Sequence, residues 1–335
     1  MKCISAIVLV VVLSVPNAAY PWGRRAHSVI DRTAVDSLPD DGPIFLKKYI
    51  DYIADSASIP DTWRAASEPF SKIEEDPNHG WFREQFAFMK PIPRSRYEFV
   101  LALYKEHLRI EKSDPENASR MNVRWTGTLP YAAAEVYGHL VADMRLLRSL
   151  RSQGKDTSAT EMTCAFYVAW MGHYIGDGAQ PLHDSIHHDG WLGRDPKGYT
   201  RDPRIHGRFE SQYVEAIGFS ERDIRSRIGP PGHLTGDVFE AILAHLDEAG
   251  SHVEAIYALD KRNAFADPQD SEAKEMVYSS TASGARMLRD LVYRAWLESS
   301  LQPSPARPGP IDATNPAYNS ETGSAPAAQS PQLKK

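Results

Sequence analysis

Residues 160–178 are apolar nearly all round, and this run most constrains what the chain can fold into. A helix without a polar face has to be surrounded by other elements, so the segment predicts a central buried helix. Near its end it carries His173 and Asp177, within Met171-Gly-His-Tyr-Ile-Gly-Asp-Gly-Ala-Gln-Pro-Leu-His183. A spacing of four stacks both side chains on one helix face. Pro181 is expected to end this helix, so that His183 turns back towards the pair. His206 and Glu210 follow at the same spacing in Ile205-His-Gly-Arg-Phe-Glu210. Imidazole plus carboxylate is ligand chemistry that suits zinc. One pair alone reads equally well as a helix-surface hydrogen bond. Two pairs with His183 between them favour a metal site with more than one ion.

Helical periodicity recurs in segments 24–38, 95–110, 128–152, 206–217, 236–260 and 270–299. In 95–110 the apolar set is Tyr97, Val100, Leu101, Tyr104 and Leu108. No sustained period-two alternation is present, so the chain reads as all-α, a single multi-helix domain over residues 22–301. Residues 51–94 and 184–204, rich in Pro, Asp, Gly and Ser, read as ordered loops flanking the candidate ligands. Residues 302–335 read as a disordered tail dispensable for catalysis.

Residues 1–21 read as a signal peptide: Lys2, about a dozen apolar residues, then small ones, too short for a membrane helix. The expected destination is secreted or periplasmic, with no transmembrane segment in the mature protein and a monomer as the expected state. Cleavage would leave Cys164 without a disulfide partner, in an apolar run that makes it a core residue. The formal net charge of -6 argues against a broad basic groove for nucleic acid.

The order His-x3-Asp-x5-His, ending Gln-Pro-Leu-His183, with His206-x3-Glu210 after it, resembles the zinc-dependent nuclease and phospholipase C family. The resemblance implies an all-helical fold and three zinc ions in a cleft. It extends upstream to Trp22-Gly-Arg-Arg-Ala-His27, to Asp61 in Ile-Pro-Asp-Thr-Trp-Arg64, and to His79 in Asp-Pro-Asn-His-Gly-Trp-Phe82. Phe82 stands where the nucleases usually carry an aspartate, with Glu84 the nearest acid. By this resemblance Asp61, His79, His173 and Asp177 hold one ion. Trp22, His27 and the shared Asp177 hold a second, and His183, His206 and Glu210 a more open third. Asp61 and Arg64 are the implied catalytic residues, Asp61 orienting a water and Arg64 neutralising a phosphate. His139, His187 and His188 are left outside the site, the last two facing solvent.

The activity implied is a phosphodiesterase, in which bound zinc activates a water and offsets phosphoryl charge. Single-stranded DNA or RNA is the first expected substrate, with Trp81, Phe82, Tyr174, Trp191 and Tyr199 as candidates for stacking a base. A phospholipase C acting on phospholipid head groups is the alternative, since similar aromatics also cage a quaternary ammonium. A non-catalytic secreted zinc-binding protein is the third reading.

Overall fold

The computed structural model describes residues 22–301, 318–324, 331 and 333. The described residues are helical and irregular; their only extended pairings are isolated bridges, Trp81 with Gly127 and Asn319 with Ser324. The principal helices are α1 (Arg24–Asp36), α2 (Ile50–Ser56), α3 (Ile59–Trp63), α4 (Pro69–Glu75), α5 (Arg96–Ile110), α6 (Leu129–Ser152), α7 (Ser158–Asp177), α8 (Val238–Gly250), α9 (Val253–Lys261) and α10 (Ser271–Glu298). Their starts are written locally. Ser95 caps α5 by accepting from Glu98 N, Asp237 caps α8 through Phe239 N and Glu240 N, and Asp270 caps α10 through Ala273 N.

The apolar helix, α7, lies at the centre, packed by α1, α2, α6 and α10. Every residue from Met171 to Asp177 is buried, so His173 and Asp177 enter the interior with it. Two glycines let α1 approach: a Cβ on Gly176 would meet His27 Nδ1 at 2.9 Å, and one on Gly172 would meet Asp31 Oδ1 at 2.2 Å. His27 and Asp31, one turn apart on α1, thereby lie over Gly176 and Gly172, one turn apart on α7. Cys164 is buried in the same helix, and burial pushes its thiol up to about 12, as expected of an inert core residue.

Asp31 has no compensation for its burial. Neither carboxylate oxygen makes a hydrogen bond, and burial raises its pKa well above the usual carboxylate range. The folded state therefore keeps a proton that the unfolded state releases. Its contribution is most favourable below the ordinary carboxylate pKa and is lost as pH rises through the folded value. Asp31→Asn, which cannot ionise, should gain on the parent protein between pH 4 and pH 7 in urea midpoint. An unchanged difference across that range would mean Asp31 is ionised in the fold.

Several expectations need correction. Segment 236–260 is two helices, because the chain breaks at Ser251 and His252 between α8 and α9. Segment 51–94 is not simply loop; it holds α3, α4, most of α2 and short 3-10 turns at Asp76–His79 and Arg83–Phe86. In α5 the covered face is Phe99, Leu103 and Ile110, while Tyr97, Val100, Tyr104 and Leu108 are exposed. Phe99 wins because its ring joins Trp81, Phe86 and Tyr131; periodicity marks a stripe but not which stripe is covered. The leader lies outside the described residues. Of the tail, residues 318–324 rest on α5, where Asn319 Nδ2 donates to Glu98 Oε1 at 3.3 Å and Lys105 pairs with Glu321 at 2.6 Å. Among the described residues no helix is long and apolar enough to cross a membrane.

Candidate metal centre

Six separate stretches deliver the donor side chains to one buried region. α1 brings His27, the first turn of α3 brings Asp61, and the 3-10 turn after α4 brings His79. α7 brings His173 and Asp177 and stops at Asp177, before Pro181; Pro181 opens the 3-10 turn that carries His183. His206 and Glu210 come from segment 205–216, whose middle, Arg208–Tyr213, widens into a π-helical turn. Such turns recur at functional sites because they re-aim a side chain without ending the helix.

Among the described residues, three groups of donors each gather within 4.8 Å: His27, Asp61 and His173; His79, His173 and Asp177; and His183, His206 and Glu210. The last coincides with the open third set implied by the resemblance. The other two cover the remaining protein side chains of the implied set but share them differently, with Asp61 between His173 at 3.7 Å and His79 at 3.9 Å. Asp177 reaches both ways, its Oδ1 3.3 Å from His27 Nε2 and its Oδ2 2.9 Å from His79 Nδ1. Trp22 is buried, and its backbone N donates to Glu210 Oε2 at 3.0 Å, which places it at the edge of the third group.

The histidines are aimed. His173 Nδ1 donates to Ala57 O at 2.9 Å, and His183 Nδ1 donates to His79 O. His79 Nε2 is 3.1 Å from Glu75 Oε1, and His206 Nδ1 is 3.2 Å from Asp189 Oδ1. Each ring thus spends one nitrogen on an outer acceptor and turns the other towards the cluster, which fixes the tautomer a metal needs. Glu75 is itself held, accepting from Tyr174 Oη at 2.8 Å, while Trp170 Nε1 donates to that same hydroxyl at 2.9 Å. On the other side Gln180 Nε2 donates to Glu210 Oε2 at 3.0 Å.

The electrostatics without a cation are strained. Burial and the neighbouring Asp177 charge push Asp61 well above the usual carboxylate range, and neither Asp61 oxygen accepts a hydrogen bond. Burial pushes Asp177 up to about 7. Burial likewise holds His79 and His173 well below the ordinary histidine pKa, so both are neutral and ready to ligate. His206 differs: burial opposes its charge, but Glu210 and Asp189 raise it to about 10. Glu210 answers, since burial is outweighed by His206 and His183 and its pKa falls to about 2. Two buried acids with three carboxylate oxygens lacking hydrogen bonds, both of Asp61 and Oδ1 of Asp177, facing neutral imidazoles, are the donor set that a divalent cation would satisfy.

The second and third groups open onto a cleft of about 1140 Å³ whose lining includes Arg64, His79, His183, His206 and Glu210, while His27, Asp61 and His173 lie behind that lining. Arg64 Nε pairs with Asp76 Oδ1 at 3.1 Å. Phe82 stacks on His188 at 4.4 Å, and both line the cleft, so His188 does not simply face solvent. His187 instead stacks on Trp191 at 3.9 Å, and His139 lies against Tyr167 at 5.5 Å, away from the donors. Glu84 is not a ligand: it accepts from Ser185 Oγ at 2.6 Å and Ile186 N at 3.1 Å, pinning the start of the 184–204 loop. Trp81, Tyr174 and Tyr199 are buried, which removes three of the five expected base-stacking aromatics from solvent.

Glu75, Asp189 and Gln180 orient the donors without having been singled out by sequence for that role. Glu75 was within reach, since it precedes His79 by the same four residues that marked the other pairs. Gln180 stands in the Gln-Pro-Leu-His183 run without a role assigned to it, and nothing in the sequence points to Asp189, whose partner lies across a loop. Glu75→Gln should weaken metal binding by roughly 10–100-fold, the usual loss when a ligand histidine is no longer oriented by a carboxylate. Competition with a chromophoric chelator would read this directly; unchanged affinity would make Glu75 a packing residue.

No protein-family model and no curated protein matches the chain. Among solved structures, the alpha toxin from Clostridium absonum aligns with a TM-score of 0.46 and 13% identity, over 83% of this chain and 64% of that one. The Clostridium perfringens alpha-toxin from an avian strain aligns with a TM-score of 0.41 and 17% identity, over 82% and 64%. The chain therefore spans a little under two thirds of the length of either toxin.

Proposed function

We propose that the protein is a metal-dependent hydrolase of phosphodiester bonds, with zinc as the metal and phospholipid head groups ahead of single-stranded nucleic acid as the substrate. The observation that carries the metal is the aiming of His79, His173, His183 and His206, each with one ring nitrogen anchored outside the cluster. His79 of the second donor group and all of the third line a cleft, which suits turnover better than a closed structural site.

Bound zinc would supply an activated water and positive charge for the phosphoryl oxygens. The chain's own residues do the rest. Asp61, buried and without a hydrogen bond, is placed to orient a water or accept its proton. Arg64 lines the cleft and can turn its guanidinium to a phosphate, with Asp76 holding its Nε. Trp22 and Gln180 steady Glu210, which together with His183 and His206 faces the opening. Nucleic acid takes second place because Trp81, Tyr174 and Tyr199 are buried and Phe82 is already stacked on His188.

Residues 22–301 as the enzyme domain, residues 1–21 as an export leader and the rest of the chain as an accessory tail belong to the same proposal. The test offers zinc-loaded protein a short-chain phosphatidylcholine below its micellar concentration and, in parallel, a single-stranded oligonucleotide, each with a chelated control. Chelator-sensitive release of phosphocholine is the expected result. Cleavage of the oligonucleotide alone would reverse the substrate order, and neither reaction would remove the hydrolase.

A further inference from the structure

We propose that α4 is a membrane-contact helix: Phe70 enters the surface of a zwitterionic phospholipid layer, with Ile73 beside it, and seats the cleft mouth on its substrate. This rests on the hydrolase reading and narrows it to lipid in an aggregated surface.

The inner side of α4 is firmly held. Glu75 is buried against His79 and Tyr174, Ser71 Oγ donates to Trp63 O at 2.6 Å, and Lys72 Nζ donates to Arg64 O at 2.9 Å. The outer side holds nothing of the protein: Phe70 is 93% exposed and Ile73 73% exposed. Three residues apart, they share one helix face. Two large apolar side chains projecting together from a rigid helix serve no core, and such a patch marks a contact surface.

The position of α4 says what is contacted. Pro69, Lys72 and Ile73 line the same cleft as His79, His183 and His206. Val123 and Arg124 also line it, with Trp125 exposed next to them. The charges fit a zwitterionic layer. Arg64, Lys72, Arg124 and Arg204 line the cleft, and Glu68, Asp76 and Glu74 stand among them on or beside α4. Arg64 and Lys72 share Asp76, whereas no ion pair involves Arg124 among the described residues. A rim of this kind offers Arg124 to a lipid phosphate and acids to a choline-type ammonium. A polyanion such as nucleic acid would meet Glu68 and Glu74, which no ion pair offsets among the described residues. Apolar side chains flanked by mixed charge are the arrangement that lies in a head-group boundary.

The test is flotation of the full-length, zinc-loaded protein with phosphatidylcholine vesicles, comparing the parent chain with Phe70→Ser and Phe70→Trp. Phe70 is neither a donor nor one of the residues that line the cleft, so hydrolysis of a water-soluble phosphodiester serves as the control. The expected result is vesicle binding that falls roughly tenfold in Phe70→Ser and is kept in Phe70→Trp, with soluble-substrate turnover unchanged. Equal binding of parent and Phe70→Ser, or no binding by either, overturns the proposal. So does a parent dimer that Phe70→Ser splits, which would make α4 a self-association face, or a loss confined to oligonucleotide binding. Phe70-dependent flotation without turnover of either soluble or vesicle substrate would leave the contact helix standing and remove the hydrolase reading instead.

Discussion

Asp177→Asn should abolish hydrolysis and cost more metal affinity than the roughly 10–100-fold expected from losing a residue that only orients a ligand. The reason is its position: one oxygen faces His27 and the other faces His79, so under the proposed function a single carboxylate would be shared between two donor groups. The stability of the variant should move in two directions. Metal-free, the parent protein buries Asp177 at a cost that raises its pKa to about 7. The folded form thus holds a proton above the pH at which the unfolded form releases it, and stability falls as pH rises from about 4 through 7. Asparagine removes that loss, so the metal-free variant should be at least as stable as the metal-free parent at pH 8. With zinc the order should reverse, because the variant can no longer collect the binding energy. Thermal unfolding of both proteins with and without zinc separates the two effects. A variant that is active, or that still gains full stabilisation from zinc, would remove the bridging role.

Chelation should be the second large effect. Ligands that bind only the folded state stabilise it by about 4 kcal/mol for each site at a thousandfold excess over Kd. Three donor groups therefore predict a fall in Tm of well over 10 °C on removing metal, with the helices retained, since α7 and its neighbours form a core that does not depend on the donors. Rebinding should release protons at the third group. His206, raised to about 10 between Asp189 and Glu210, is protonated at neutral pH and has to lose that proton to ligate. Calorimetric titration of zinc in buffers of different ionisation enthalpy reads the number released. Heats independent of the buffer would place no metal at His206.

The all-helical architecture was legible because α1, α6, α7 and α10 each carry a long apolar pattern that only a helix accommodates. The gathering of the candidate donors was legible for a related reason. His173 with Asp177 and His206 with Glu210 are neighbours by helical geometry alone, and His183 follows in the 3-10 turn that Pro181 opens. The resemblance supplied His27, Asp61 and His79, which are remote in sequence. What stayed hidden is what depends on tertiary contact. The outer acceptors Ala57 O and Asp189 reach their histidines across loops. The exposed stripe of α5 is as periodic as its buried one, and the choice between them is made by the aromatic cluster around Phe99. Phe70 carried no periodic signal at all, because α4 is too short to show one.

The most direct test of the metal-hydrolase account is a titration of zinc into chelated protein, with turnover of a chromogenic soluble phosphodiester followed at each step. The account predicts no turnover without metal, a rise that saturates only when more than one ion is bound per chain, and none at any zinc level in Asp177→Asn. Turnover that persists under chelation, or a folded protein that binds zinc tightly in all its sites and hydrolyses nothing, would contradict it.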